Sequence, residues 1–266
     1  MRLGGITRTF INRFKGWDNA SRLSFVIAGV LMVALVLFGG NLPDELRQNA
    51  LIAVAGLFIT MQAVFLYANR GMVSALTAAQ RQYLTEDFVG ARQTLENALE
   101  NRQRPDFRAL TLLGNTYRQL GLSDNSFEIL TKAVQAAPHH HFPWYGFGRT
   151  LMTLGRYGEA VEAFQRALAE GAPAVAQLDH AEALYRAAAG SEMVLHALAA
   201  AEVGDDEPYR ALWSAYLRWR ITGKNPPSRD LINAGMAYWE AMAERFTHTP
   251  YGRSISADLK QLQEIV

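Results

Sequence analysis

Two long stretches without charge near the start dominate what this chain can become. From Leu23 to Pro43 there are 21 residues with no Asp, Glu, Lys or Arg, and from Gln48 to Asn69 another 22. Each has an apolar centre of 18 residues, Leu23–Gly40 and Ala50–Tyr67. At about 1.5 Å of rise per helical residue such a centre approaches the ~30 Å hydrocarbon core of a bilayer. Two transmembrane helices are therefore expected, since helices of soluble cores rarely exclude charge for so long. A cleaved signal peptide fits the first run poorly. Gly39, Gly40, Asn41, Leu42 and Pro43 follow it instead of a small-x-small cleavage site, and a second apolar run comes soon after.

Arg2, Arg8, Arg13, Lys15 and Arg22 precede the first run, Arg47 alone lies in the connecting loop, and Arg70 and Arg81 follow the second run. Lys and Arg near helix ends stay on the cytoplasmic side, so both termini are expected there, in the cell membrane. Neither run carries an ionisable side chain, which removes the usual basis of an ion pathway and leaves an anchor. Ala53, Gly56, Thr60 and Ala63 form one small-residue stripe on the second run, and Ser24 with Ala28 makes a small pair on the first. Stripes of this kind let helices approach closely in lipid, and closure of the hairpin is the simpler expectation for this one. Ile6, Phe10, Phe14 and Trp17 recur at helical spacing among cations, which fits either an interfacial helix or a basic tail.

The remainder is a folded body. With 50% hydrophobic residues, 19% charged and a net charge of +1, the chain lacks the signature of disorder. No strongly basic domain is present, so nucleic acid is not expected as a partner. The absence of cysteine excludes disulfides and thiolate metal sites. Short amphipathic helices follow Arg70, and they repeat every 34 residues. Laying 107–140 over 141–174 pairs Leu113 with Phe147, Gly114 with Gly148, Gly121 with Gly155, Leu130 with Phe164, and Ala133 with Ala167. Small residues at Gly114/Gly148 and Ser126/Ala160 permit close contact of two antiparallel helices.

Trp144, Phe147, Gly148, Tyr157, Ala160, Phe164 and Ala167, with Leu113, Gly114, Tyr117, Gly121, Ala133 and Pro138 in the preceding copy, resemble the tetratricopeptide repeat (TPR) pattern. A weaker copy covers 72–105, and a fourth covers about 175–203. The fold expected is all-α: two transmembrane helices, then an α-α solenoid of TPR-like helical hairpins. The divisions are a basic cytoplasmic segment 1–22, a transmembrane hairpin 23–69, a solenoid 70–203 and an atypical C-terminal capping unit 204–266. In that last unit Ser228 and Ser256 are candidate N-caps, Pro226 and Pro227 end the helix before Ser228, and the outer face is expected to be polar.

Catalytic signatures are missing, so no enzyme and no cofactor is expected. Gly146 and Gly148 fall inside a repeat helix rather than after a strand, and so read as packing residues. His139, His140 and His141 project in divergent directions from a turn and read as solvated rather than as a metal site. What the resemblance implies is a peptide groove lined by the first helix of each hairpin. The corresponding positions here are Arg108, Thr111, Asn115, Arg118 and Gln119; Phe142, Tyr145, Arg149, Met152 and Thr153; and, in looser register, Asp179 and Arg186. Guanidinium forks suit carboxylates, which points to acidic segments or C-terminal carboxylates of protein partners; pairing of these arginines with acidic neighbours is the competing reading. The expected role is a membrane-anchored scaffold or adaptor in the assembly of membrane complexes. The alternative is a constitutive accessory subunit of an integral membrane complex, held through its transmembrane helices.

Overall fold

The computed structural model describes residues 14, 17, 19–69, 75–100, 106–201 and 207–265. Ile6, Phe10 and the cations before Arg22 lie outside these residues. Among the described residues every regular element is helical. The chain divides into two compact units, Met1–Ser74 and Ala75–Val266.

The first unit is a hairpin of α1 (Asn19–Phe38) and α2 (Asp44–Asn69), joined by a single 3-10 turn at Gly39–Asn41. Both helices are long and apolar enough to cross a membrane. Ala28 is buried, and Gly29 faces the Met61 side chain, so small residues on α1 receive large ones from α2. Trp17 is buried against Phe25 and Phe65, at centroid distances of 5.3 and 5.7 Å. The small stripe of α2 does something other than expected. Ala53, Gly56, Thr60 and Ala63 are all exposed, and a Cβ added at Gly56 would meet nothing within 4 Å. Hairpin closure therefore uses the opposite pairing, with α2 turning Met61 and Phe65 toward α1, and the stripe faces outward.

The second unit stacks four helical hairpins: α3 (Ala75–Leu84) with α4 (Phe88–Leu99), α5 (Phe107–Gln119) with α6 (Ser123–Ala136), α7 (His141–Thr153) with α8 (Tyr157–Ala169), and α9 (Val175–Arg186) with α10 (Ser191–Ala201). The 34-residue pattern has a direct physical basis. A Cβ on Gly114 would come within 2.4 Å of Leu130, and one on Gly148 within 2.7 Å of the Phe164 ring. Only glycine permits the helices of each pair to close that far, while Leu130 and Phe164, both fully buried, fill the space. Ser126 donates to the Gly114 carbonyl at 2.7 Å and meets the Thr150 hydroxyl at 2.7 Å, tying the second hairpin to the third.

One turn geometry recurs in all four units. The second residue after the first helix has positive φ at Gly121 (+75°) and Gly155 (+73°), and so do Glu86 (+60°) and Ala188 (+56°) at the matching places. In each unit the same pair of backbone bonds closes the turn, as in Gly121 N–H to Arg118 O and Ala188 N–H to Tyr185 O. Units one and four are thus degenerate in sequence and regular in backbone.

Three further helices complete the unit: α11 (Pro208–Thr222), α12 (Arg229–Arg245) and α13 (Pro250–Gln263). Gly223, in the left-handed region, ends α11 ahead of Pro226 and Pro227. Ser228 caps α12, accepting from the Leu231 N–H at 3.3 Å. Ser256 is not a cap. Helix α13 starts six residues earlier, where Thr249 accepts from the Gly252 N–H at 3.0 Å and Pro250 supplies a preset first turn. Ser256 instead bonds back to the Gly252 carbonyl inside the helix. These helices share one core with α7 to α10, built on Phe164, Leu198, Trp213, Tyr216, Ile255 and Leu262.

Candidate functional site

The first helices of the hairpins present one inner face, and the residues expected to line it fall into two sets. Arg108 is exposed, with its guanidinium over the Phe107 ring at 5.3 Å. Asn115, Phe142, Tyr145 and Arg149 are half-buried. Thr111, Arg118 and Met152 are buried, and the Arg186 side chain is 5% exposed. Part of the buried set is covered by the C-terminal helices, since Tyr251 and Asp258 of α13 meet the fourth hairpin.

At the fourth unit the cover is ionic. Arg186 donates from Nε to Glu182 at 2.8 Å and from Nη2 to Asp258 of α13 at 3.0 Å. The Tyr251 hydroxyl donates to the other Glu182 oxygen at 3.0 Å, and the Tyr216 hydroxyl donates to Asp258 at 2.7 Å. Every carboxylate oxygen and both arms of the fork are directed. Burial pushes the Glu182 carboxyl above its ordinary range. Burial would lower Arg186, but the facing Glu182 carboxylate outweighs it and holds the guanidinium above its usual value.

At the third unit Tyr145 donates to Asp179 at 2.6 Å, and Arg149 stands 3.9 Å from the same carboxylate oxygen. Burial and the neighbouring Asp179 drive the Tyr145 phenol well above the usual tyrosine range. At the second unit Arg118 donates from Nη1 to Asn115 at 3.2 Å and to the Gly146 carbonyl at 3.4 Å. Burial, then the like charge of Arg149, lowers its pKa. At the first unit Arg245, from the end of α12, reaches Glu86 at 3.1 Å and Gln119 at 3.4 Å, with its guanidinium over Phe88. The C-terminal helices therefore do more than cap the end: the Arg245 side chain reaches Glu86 and Gln119, while Tyr251 and Asp258 meet the fourth hairpin. Of the positions expected to meet an incoming peptide, Arg186 is engaged by Asp258 and Tyr251 of α13, while Thr111 bonds to the Phe107 carbonyl and Arg118 to Asn115 and the Gly146 carbonyl within the repeats.

Sequence reasoning placed Arg149, Asp179 and Arg186 on this face. It missed Glu182, Tyr216, Arg245, Tyr251 and Asp258. Glu182 was available as the i−4 partner of Arg186. Asp258 lies 72 residues from Arg186, and no local signal connects them.

The histidine run serves the turn before α7. His140 accepts from the Phe142 N–H at 3.2 Å, stacks on His141 at 4.9 Å and lies tilted against Phe107 at 4.8 Å. His139 is exposed beside Glu170. No group of three His, Cys, Asp or Glu side chains suited to a metal ion occurs among the described residues. Gly146 and Gly148 pack against Asn115 and Phe164 within the repeats.

Residues 107–140 and 143–169 match the tetratricopeptide repeat family. Among solved structures, a thermophilic TPR protein of Thermus thermophilus is similar over 71% of this chain and 97% of its own, with a TM-score of 0.50 and 17% identity. MamA is similar over 63% of this chain and 93% of its own, with a TM-score of 0.47 and 21% identity. No curated protein matches the chain.

Proposed function

We propose, from the match of residues 107–140 and 143–169 to the tetratricopeptide repeat family, that this chain is a membrane-anchored adaptor, with α1 and α2 crossing the bilayer and the solenoid on the cytoplasmic side. Its partners are proteins that offer acidic segments or a C-terminal carboxylate. The surface that receives them is the accessible edge of the inner face, formed by the exposed Arg108 and the half-buried Asn115, Phe142, Tyr145 and Arg149. The observation that carries this reading is the internal one. The inner face already holds carboxylates, Asp179 beside Arg149 and Asp258 on Arg186, so its chemistry is that of carboxylate recognition. Anchoring adds local concentration, because a tethered module searches a confined volume.

The test is affinity capture with the full-length protein in nanodiscs, wild type beside Arg108→Glu. Arg108 is exposed and has no role in packing the core, so the variant folds. Loss of acidic-tailed partners is the expected result; an unchanged set of captured proteins refutes the assignment.

A second reading has one observation in its favour. The outward face of Ala53, Gly56, Thr60 and Ala63 suits a further transmembrane helix, as in an accessory subunit of a membrane complex. Gly56→Leu separates the two: it strips a stoichiometric membrane partner from the purified protein if the stripe is an interface, and leaves the adaptor's partners in place if it is not.

A further inference from the structure

Gln62 is a polar side chain in an apolar place. The middle of the apolar centre Ala50–Tyr67 falls between Phe58 and Ile59, so Gln62 stands about 5 Å from it along the helix axis, well inside a hydrocarbon half-thickness of about 15 Å. Its side chain is exposed on the hairpin, and among the described residues no hydrogen bond reaches the amide. The neighbouring Thr60 differs, because its hydroxyl donates to the Gly56 carbonyl at 2.8 Å. Hydrocarbon offers an amide neither donor nor acceptor, so Gln62 calls for a partner that brings both.

The residues around it indicate what that partner is. Leu51, Ala55, Phe58, Gln62 and Phe65 recur at spacings of four and three, the period of a helix seam, and the first four are exposed. In sequence, Gln48 stands two heptads before Gln62 and Asn69 one heptad after it, so three of the four amide residues of α2 share one heptad position. This seam is a different flank of α2 from Ala53, Gly56, Thr60 and Ala63, and Met61 holds the side toward α1. Beside the seam an open groove of about 420 Å³ lies between Phe25 and Met32 of α1 and Phe58, Gln62 and Leu66 of α2, with room for side chains of another helix. Two copies inserted in the same direction are related by a two-fold axis along the membrane normal, which sets each seam position against itself at the same depth. A glutamine amide both donates and accepts, so it is complementary to its own copy. A different helix would have to carry a polar group of its own at this depth. We propose that the Leu51–Phe65 seam of α2 is the interface of a parallel homodimer in the membrane, with Gln62 bonded to Gln62 of a second copy and the apolar seam positions packed on either side. The proposal rests on the reading of α1 and α2 as membrane-spanning. Two copies joined in this way present the proposed partner surface twice, which raises avidity for partners that are themselves clustered.

The test exploits the absence of cysteine from the chain. Full-length single-cysteine variants Ala55→Cys, Phe58→Cys, Gly56→Cys and Thr60→Cys are oxidised in membrane vesicles that have first been washed with alkaline carbonate. Disulfide-linked dimers are expected at Ala55→Cys and Phe58→Cys, and not at Gly56→Cys or Thr60→Cys. In liposomes, energy transfer between labelled full-length copies gives the dimer dissociation constant. Gln62→Leu makes α2 more apolar and so still inserts; it is expected to raise that constant about 5- to 30-fold, the weight of interhelical amide bonding in lipid, and Gln62→Asn is expected to restore most of it. Release of the wild type by carbonate removes the membrane reading and the proposal with it. Retention without a cross-link at either seam position, or with cross-links on the Gly56 flank instead, overturns the dimer and leaves the membrane reading in place. An unchanged dissociation constant in Gln62→Leu overturns the proposal as well.

Discussion

Arg186→Met is the sharpest perturbation of the C-terminal cover. The side chains of Arg186, Glu182 and Asp258 are 5%, 2% and 11% exposed, so removing the guanidinium leaves two carboxylates in a low-dielectric site with only tyrosine hydroxyls facing them. Breaking a buried pair from one side costs about 3–5 kcal/mol, which shifts the folding constant by about two to four powers of ten. The comparison is Arg156→Met. The Arg156–Glu159 pair has short contacts as well, 2.7 Å from Nε, yet its side chains are 39% and 54% exposed, and pairs of that kind contribute at most about 1 kcal/mol. Combining Arg186→Met with Glu182→Leu and Asp258→Leu is expected to recover most of the loss, since a buried ionic triad is often replaced by apolar groups without penalty. Near-ultraviolet circular dichroism during urea unfolding reads the result. Trp213 and Trp239 stack at 4.0 Å, and Arg186 sits 6.0 Å from the Trp213 ring, so the signal reports this locus. If Arg186→Met falls within about 1 kcal/mol of wild type, or if Arg156→Met costs as much, burial is not what gives the network its strength and the reasoning fails.

Three other outcomes are expected. Ala188→Gly relieves a left-handed alanine in the fourth turn and should stabilise the protein by up to about 1 kcal/mol in urea unfolding, and a destabilised variant would contradict the turn assignment. Gly148→Ala drives a methyl group into the Phe164 ring and should cost about 1–3 kcal/mol by the same assay. Burial and the bond to Glu96 raise the Tyr117 phenol to about 12, above its unfolded value near 10. Its contribution is therefore complete below pH 10 and is lost as pH rises through 12, so Tyr117→Phe should flatten the alkaline decline measured by tyrosinate absorbance and midpoint together.

The elements that the sequence revealed are those with short-range causes. The apolar runs announce themselves by length, and the 34-residue period by glycines that must sit against Leu130 and Phe164. The first and fourth units were fainter because their turns use Glu86 and Ala188, where the firm repeats use glycine; the backbone kept a geometry that the residues no longer advertise. The stripe on α2 was legible as a stripe, but its direction was not, since helical spacing groups residues on a face without saying which neighbour that face meets. The inner face shows the same limit at longer range. Repeat position put Arg149 and Arg186 on the first helices of their hairpins, while Tyr251 and Asp258, which meet Arg186, come from a segment with no repeat pattern at all.

Whether an incoming chain could displace that segment is a question of magnitude. Phe246, Tyr251, Ile255, Leu259 and Leu262 are all buried in the core shared with α7 to α11. At about 1.5–3 kcal/mol for each side chain, exposing them costs about 8–15 kcal/mol, before the ionic network around Arg186 is broken. A partner binding with micromolar affinity supplies about 8 kcal/mol in all. The C-terminal cover is therefore a fixed part of this unit, and under the proposed function a protein partner is recognised by what the cover leaves accessible. In the proposed surface the exposed Arg108, on the second hairpin, and the half-buried Arg149, on the third, supply the positive charge, beside the half-buried Phe142 and Tyr145. If the proposed adaptor reading holds, a partner is selected by a short cationic edge rather than by threading of a long peptide, and acidic peptides of about five residues should compete for capture as well as long ones. Competition that grows steadily with peptide length would show instead that the inner face opens.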